Sequence, residues 1–371
     1  MAASCLWAAD LCSEKQELLS FGRIVKETHQ VTSNQPIDPV EHRGARHMRL
    51  RLRIERAGSC PWKLAIRDAS FRPIQVLTAA DFPAGAPLWS ARVTGHAAYM
   101  DLLDCPPRAD GPDIRSDEHI WLPASEANPQ YSIKDKNGVP DWKPLGNSGA
   151  GAKRMRLGDS TGFLLGATAS ELTNWKCSGV LIAAGLFLTN WHCLEPLRNH
   201  DPNSMRGLLV DMSWDGDASS DDYQVESLEE GTAALDFALL KVTPLSRNFS
   251  SRPAVIRKAA PQTGEVFVIH HPQGAQKMIS ANGCTVAALN YPNAASPALS
   301  HTCDTSNGSS GSPLFDSSGR VMALHFCGFN SESATERFNR AVRMDEILKW
   351  LATKAKTDAK TAEILKQLRF E

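Results

Sequence analysis

The chain has 371 residues, 40 Lys plus Arg against 41 Asp plus Glu, a formal net charge of −1 and 42% hydrophobic residues. That is enough apolar material for two or three cores at the usual domain size of about 100–200 residues. The balanced charge excludes a general nucleic-acid binder, which needs a basic stripe, and no run of about 18 apolar residues offers a membrane-spanning helix.

Residues 1–44 are polar and read as a tail or lead-in, with a short helix-like piece over Glu14–Val25. Arg46-His47-Met48-Arg49-Leu50-Arg51-Leu52-Arg53-Ile54 alternates basic with apolar residues, the period of a half-buried strand. Its arginines read first as a solvated strand face, with a partner surface as the sharper alternative. Strand-like runs follow at Lys63–Arg67, Pro73–Thr78, Leu88–Thr94 and Ala97–Leu103, separated by Pro and Gly clusters. That spacing predicts a small β-sandwich over residues 45–125. Residues 123–156, with Pro123, Pro129, Asn137-Gly138, Pro140, Pro144 and several glycines, carry linker chemistry. The division is therefore 1–44 lead-in, 45–150 N-terminal β-rich domain and linker, and 151–371 a second, larger unit.

The larger unit is predicted all-β. Cys177-Ser178-Gly179-Val180-Leu181-Ile182 leads into a small-residue turn and a second apolar strand ending Leu188-Thr189-Asn190-Trp191-His192-Cys193. Residues 199–223 are rich in Asp, Ser and Gly; Asp217, Asp221 and Asp222 read as a solvated loop rather than a calcium site, because their spacing lacks the regular calcium-loop pattern. Leu235-Asp236-Phe237-Ala238-Leu239-Leu240 sets one acid at the head of an apolar strand. Gly264–His270 is a strand running into the turn His271-Pro272-Gln273-Gly274, whose histidines have no zinc-like neighbours in sequence. Then comes Thr305-Ser306-Asn307-Gly308-Ser309-Ser310-Gly311-Ser312-Pro313. Glycines around a serine allow a tight turn that can aim amide N–H groups at a reacting carbonyl oxygen. Val321–Gly328 is a further strand, and a C-terminal helix starts near Met344, with Ile347, Leu348, Trp350 and Leu351 on its apolar face. A serine hydroxyl needs a general base held by a third group; His192, Asp236 and Ser310 supply these in that chain order.

On these five segments, in this order, residues 155–350 resemble trypsin-like serine peptidases of the two-barrel chymotrypsin fold, and within them the bacterial branch of glutamyl and lysyl endopeptidases. The resemblance implies a chymotrypsin-like double β-barrel with a C-terminal helix, behind the smaller sandwich-like domain. It implies a serine endopeptidase hydrolysing polypeptide substrates through an acyl-enzyme, with His192, Asp236 and Ser310 catalytic, the N–H groups of Gly308 and Ser310 as oxyanion hole, and neither metal nor organic cofactor. The alternative is a catalytically silent peptidase-fold binding protein. It also implies a disulfide between Cys177 and Cys193; Cys284 and Cys303 are a second candidate pair and Cys60 with Cys105 a third, leaving Cys5, Cys12 and Cys327 unassigned. Residues 45–125 resemble the β-rich regions ahead of the catalytic domain in lysyl-endopeptidase-like precursors, which implies a propeptide or a retained module.

Three readings of the specificity pocket stay open. Asp304, six residues before Ser310, is placed to select Lys or Arg. Thr305 and His325 match positions that read glutamate in glutamyl endopeptidases. In the third reading Asp304 turns away and hydrogen-bonds within the second barrel. Ser309 stands where the digestive branch has the Asp that pairs with a freed N-terminus, so any masking of the enzyme falls to its N-terminal region. Paired cysteines favour an oxidising compartment. Met1–Asp10 lacks the basic and apolar regions of a signal peptide; the expectation is a secreted or periplasmic protein.

Overall fold

A computed structural model describes residues 23–82, 87–123, 140–147, 149, 151–168, 173–195, 197, 205–215, 221–245, 251–291, 293–328 and 338–371. Cys5, Cys12, Asp217 and most of Glu14–Val25 lie outside these.

The N-terminal unit is a sandwich of two antiparallel sheets. Its strands are β1 (Arg23–Thr32), β2 (Ile37–Glu41), β3 (Ala45–Arg56), β4 (Lys63–Asp68), β5 (Pro73–Leu77), β6 (Leu88–Trp89), β7 (Val93–Thr94), β8 (Ala97–Leu103) and β9 (Asp113–Pro123). One sheet runs β1-β9-β3-β6, with β7 also on β3; the other runs β2-β8-β4-β5. Val31, Met48, Leu50, Leu52, Leu64, Ile66 and Met100 fill the space between them. The lead-in boundary at 44 is corrected: β1 and β2 lie inside it. Polar side chains on β1, whose β-bulge breaks the alternation, hid a strand that supplies Val31 to the core. Cys60 and Cys105 form a disulfide here.

β10 (Lys143–Pro144), within the stretch read as linker, pairs with β18 (Met278–Ser280) of the last sheet. Helix α1 (Gly151–Gly158) follows.

Two six-stranded barrels make up the rest. The first closes in the order β11 (Thr161–Thr168), β12 (Thr173–Ala183), β13 (Leu186–Thr189), β16 (Phe237–Pro244), β15 (Asp222–Thr232), β14 (Leu208–Asp211) and back to β11. Leu164, Leu181, Phe187, Val210, Val225 and Leu240 fill its interior. The second runs β17 (Gly264–His270), β19 (Thr285–Ala288), β20 (Ala298–His301), β23 (Asn339–Arg343), β22 (Val321–Cys327), β21 (Pro313–Asp316) and closes through β17–β21 pairing, with β18 and β10 attached at its side. Val268, Leu299, Leu314 and Ala323 lie inside it. The all-β double barrel expected for residues 151–371 is present.

The C-terminal helix is two helices, α2 (Met344–Lys354) and α3 (Ala359–Gln367). Asp358 caps the second, its side chain accepting from the Lys360 N–H, as short polar residues do at helix starts. The reversal brings Ile364 and Leu368 back to the apolar cluster that already holds Ile347 and Leu348. No helix among the described residues is long and apolar enough to cross a membrane.

The Arg46–Arg53 face is not simply solvated, and Asp221 and Asp222 are not loop residues in water. Arg49 is buried, its guanidinium donating to Asp211 at 2.7 Å and to Asp222 at 2.6 Å. Arg92 lies 2.9 Å from Asp211 and donates its backbone N–H to Asp222. Burial alone pulls the Arg49 pKa down, but Asp222 and Asp211 more than offset it, and the group is held charged. Beside this cluster Trp89 and Ile120 pack with Phe163, Leu165, Leu209 and Trp214. The sandwich is thus docked on the β11–β14 side of the first barrel.

Candidate active site

Strand β13 ends at Thr189, and a short helical turn over His192–Leu194 follows. That turn presents the imidazole at the rim of the first barrel. Asp236 stands just before β16, which pairs with β13, so adjacent strands deliver both groups. Asp236 takes φ +45°, in the left-handed region that Asp tolerates better than most residues. Its Oδ1 accepts the His192 backbone N–H at 2.9 Å, and its Oδ2 accepts the His192 Nδ1–H at 2.7 Å. The Asn190 side chain donates to the Asp236 carbonyl at 2.8 Å. Two-point attachment fixes the ring and sets its proton on Nδ1. His192 Nε2 is buried and makes no hydrogen bond. It is the nitrogen left to take a proton, and such a contact is commonly long until substrate tightens it.

Ser310 lies on the turn between β20 and β21, half-buried. One residue of the first barrel holds this turn. Ser178 donates its N–H to the Ser310 carbonyl at 2.7 Å and its hydroxyl to the Gly308 carbonyl at 2.8 Å. It accepts the His271 N–H on its Oγ at 3.0 Å and the Thr189 hydroxyl on its carbonyl at 2.8 Å. Cys177, next to it, is disulfide-bonded to Cys193, next to His192. The same short strand segment therefore holds the Ser310 turn and, through Cys193, the turn that carries His192.

Gly308 has φ +91°, and a Cβ there would come within 2.7 Å of the His271 carbonyl oxygen. Gly311, at φ +85°, would place a Cβ 2.1 Å from the Ser178 carbonyl oxygen. Both contacts are shorter than real Cβ atoms make, so only glycine fits either position. Ser309 faces inward: its Oγ bonds His270 Nδ1 at 2.8 Å and accepts the Ser306 N–H at 3.1 Å. A neutral hydrogen bond thus occupies the position that in the digestive branch forms an ion pair. His270 is neutral, its pKa pushed well down by burial and by the neighbouring His325 and His271.

Near the specificity residues, Asp304 Oδ2 accepts the backbone N–H of Asp141 at 3.0 Å. Its own carbonyl accepts the Ser280 hydroxyl at 2.8 Å. Thr305 is fully buried, and its Oγ1 makes no hydrogen bond. His325 Nδ1 lies 3.1 Å from His301 Nε2, the two rings edge to face. Burial, then His325 and His270, keep His301 neutral. His301 and the Asp141 contact were missed in the sequence: neither belongs to a local motif, and both arise from pairing across the second barrel. Cys177, His192 and Cys193 come close enough to suggest a metal group, but the disulfide leaves no thiolate to bind one. Cys284 and Cys303 are likewise joined, in the second barrel.

Residues 177–324 match the family model for the trypsin-like peptidase domain. Among curated proteins, the chain is 34% identical over 130 residues to the human Serine protease FAM111B, covering 25% of this chain and 17% of that one. It is 32% identical over 169 residues to Secreted RxLR effector protein 73 of Plasmopara viticola, covering 41% of each. The chain thus spans less than half the length of these relatives. Among solved structures, the active form of the Rv3671c protease of M. tuberculosis aligns at 17% identity and TM-score 0.40, over 54% of this chain and 83% of that one. The HtrA-type protease AlgW with tripeptide aligns at 18% identity and TM-score 0.40, over 53% and 60%. Neither sequence relative nor solved structure singles out the glutamyl and lysyl endopeptidase branch. The matched segment, 177–324, lies within the all-β double barrel.

Proposed function

We propose that the chain is a serine endopeptidase. Ser310 Oγ attacks the scissile carbonyl, His192 Nε2 accepts its proton and returns it to the leaving amine, and Asp236 holds the imidazole and stabilises its charged form. The N–H groups of Gly308 and Ser310 bind the oxyanion; one such donor is typically worth about 3–4 kcal/mol in the transition state. The observation that carries the reading is the doubly anchored Asp236–His192 couple with Nε2 left open. It is supported by the Ser178 joint, which holds the nucleophile turn against the same strand. The substrates are polypeptides. The disulfides Cys60–Cys105, Cys177–Cys193 and Cys284–Cys303 support an oxidising compartment outside the cytosol.

For the specificity pocket, the contact of Asp304 with the Asp141 N–H supports the part of the third reading in which the carboxylate is engaged elsewhere, though its partner lies just before β10 rather than within the second barrel. Thr305 and His325 then line the pocket, and an acidic side chain is preferred over a basic one. The docked sandwich serves as a retained support rather than a mask. It sits on the β11–β14 side of a barrel whose β13 and β16 carry His192 and Asp236.

The test is labelling with a fluorophosphonate probe, followed by a peptide library varied at the residue before the cut. Labelling of wild type that vanishes in Ser310→Ala supports the mechanism. Failure of wild type to label leaves the silent binding protein. Among cleaved peptides, Glu is expected over Lys by ~10-fold or more in kcat/KM, the size that one polar pocket contact commonly decides; the reverse order restores Asp304 as the selector.

A further inference from the structure

One corner of the N-terminal sandwich has unsatisfied nitrogen ligands that peptide hydrolysis does not use. His119 on β9 is 0% exposed, and neither of its ring nitrogens has a hydrogen-bond partner. An imidazole always presents a donor or an acceptor at each nitrogen, and burying both unpaired is costly. Strand β1 runs beside β9, but its register slips between Lys26 and His29. A bulge of that kind re-aims side chains, and here Glu27 and His29 both reach towards His119. His29 Nε2 is buried without a hydrogen bond and lies 3.6 Å from Glu27 Oε2. That gap is too long for a hydrogen bond. It is close to the roughly 3.3–3.6 Å that separates two donors on one tetrahedral zinc, given metal–ligand bonds of about 2.0–2.2 Å.

The donor atoms of Glu27, His29 and His119 all lie within 4.8 Å of one another. Behind them, His29 Nδ1 is 3.6 Å from Asp38 Oδ2, a carboxylate itself fixed by the Gln30 N–H at 2.7 Å. At that distance it makes no hydrogen bond to the ring, but it stands on the Nδ1 side, where an outer carboxylate would close in on a ligating histidine and leave Nε2 for the metal. His42 stacks on Trp121 at 4.1 Å, and its ring centre is 6.1 Å from that of His119. Neutral imidazoles packed only as rings would explain the edge contacts. They would not explain an empty nitrogen from each of His29 and His119 close to one carboxylate.

We propose that Glu27, His29 and His119 form a binding site for a divalent transition-metal ion, zinc first, with water completing the coordination. Two imidazoles and a carboxylate suit zinc and disfavour magnesium and calcium, which take oxygen ligands. The ion would tie edge strand β1 to β9 at the bulge, strengthening the sandwich without entering the peptidase chemistry.

The test uses the full chain, stripped with a chelator and dialysed against zinc ions alone, with bound metal measured by mass spectrometry. One zinc per chain is expected, with a rise in Tm of several degrees at saturation, since an ion that binds only the folded state stabilises it. Glu27 is exposed, so Glu27→Gln should fold normally; it and His29→Gln are expected to weaken binding by ~100-fold and to abolish the Tm rise. Cobalt should give the strong visible bands of a four-coordinate site in wild type only. Absence of stoichiometric zinc, wild-type affinity in both variants, or binding that instead disappears in His192→Ala would overturn the assignment.

Discussion

Two buried clusters of charge do opposite jobs in this molecule. At the dock, two guanidiniums, Arg49 and Arg92, face two carboxylates, Asp211 and Asp222, with each charge against its opposite. At the site, Asp236 spends both oxygens on His192, and the far nitrogen of the ring is left open. Burial is tolerable in both places because the carboxylates are paired. The difference is the kind of nitrogen at hand. With each charge against its opposite, the first cluster fixes two units together. Open at Nε2, the second can accept a proton. A guanidinium stays protonated whereas an imidazole nitrogen can take a proton, and that, rather than burial, separates a structural cluster from a reactive one.

That contrast can be broken most severely at the reactive end. Ser310→Ala is expected to lower kcat by about 10⁶-fold and Asp236→Asn by about 10⁴-fold, the usual costs of losing nucleophile and tautomer control. Both proteins should melt near the wild-type temperature, which calorimetry checks; a large fall in Tm for Asp236→Asn would make that residue a fold determinant instead. Next in size is the dock. Arg49→Ala removes one of the two guanidiniums set against Asp211 and Asp222, and breaking a buried pair in this way costs about 3–5 kcal/mol. Chemical denaturation should register that loss, and cleavage of a small ester should fall less than stability does.

The pH dependence sharpens the same comparison. Burial, then Arg92, Arg46 and Arg49, lowers the His47 pKa from 6.5 to about 3. Because the folded value lies below the unfolded one, the neutral ring's contribution is fully present above pH 6.5 and is lost as pH falls towards 3. Burial likewise lowers His271 to about 3, with the same sign. Stability measured between pH 7 and pH 4 should decline, and His47→Gln should flatten part of the slope; an unchanged slope would remove His47 from the account. Smallest is Asp358→Ala, which deletes the cap of α3. Its readout is a modest fall in Tm with unchanged kinetics.

The site was legible because its signals are local. A glycine-flanked serine, a histidine closing an apolar strand and an acid opening another can each be read within a few residues. The dock was not legible. Arg49 and Asp222 are 173 positions apart in the chain, and alternation in Arg46–Arg53 looks the same whether the basic side meets water or a carboxylate. Asp221 and Asp222 were hidden for the opposite reason: a composition of Asp, Ser and Gly reads as loop, yet Asp222 begins β15. The break between α2 and α3 had a signal, a short acidic cap at Asp358, masked by the apolar pattern continuing through Ile364 and Leu368. His119 gave no signal at all, since a lone histidine on a strand is ordinary until its neighbours from β1 are known.

Ser178 has a mechanical consequence. Four hydrogen bonds, to Ser310, Gly308, His271 and Thr189, meet at this one residue. Three of them, to Ser310, Gly308 and His271, cross between the barrels, and any sliding of one barrel past the other must shear those three together. Breathing between the barrels is therefore all-or-none at this point, and the nucleophile cannot drift gradually from its base. Mild denaturant should silence the site in one step while both barrels are still folded, with the Ser178 amide exchanging its hydrogen in that same step.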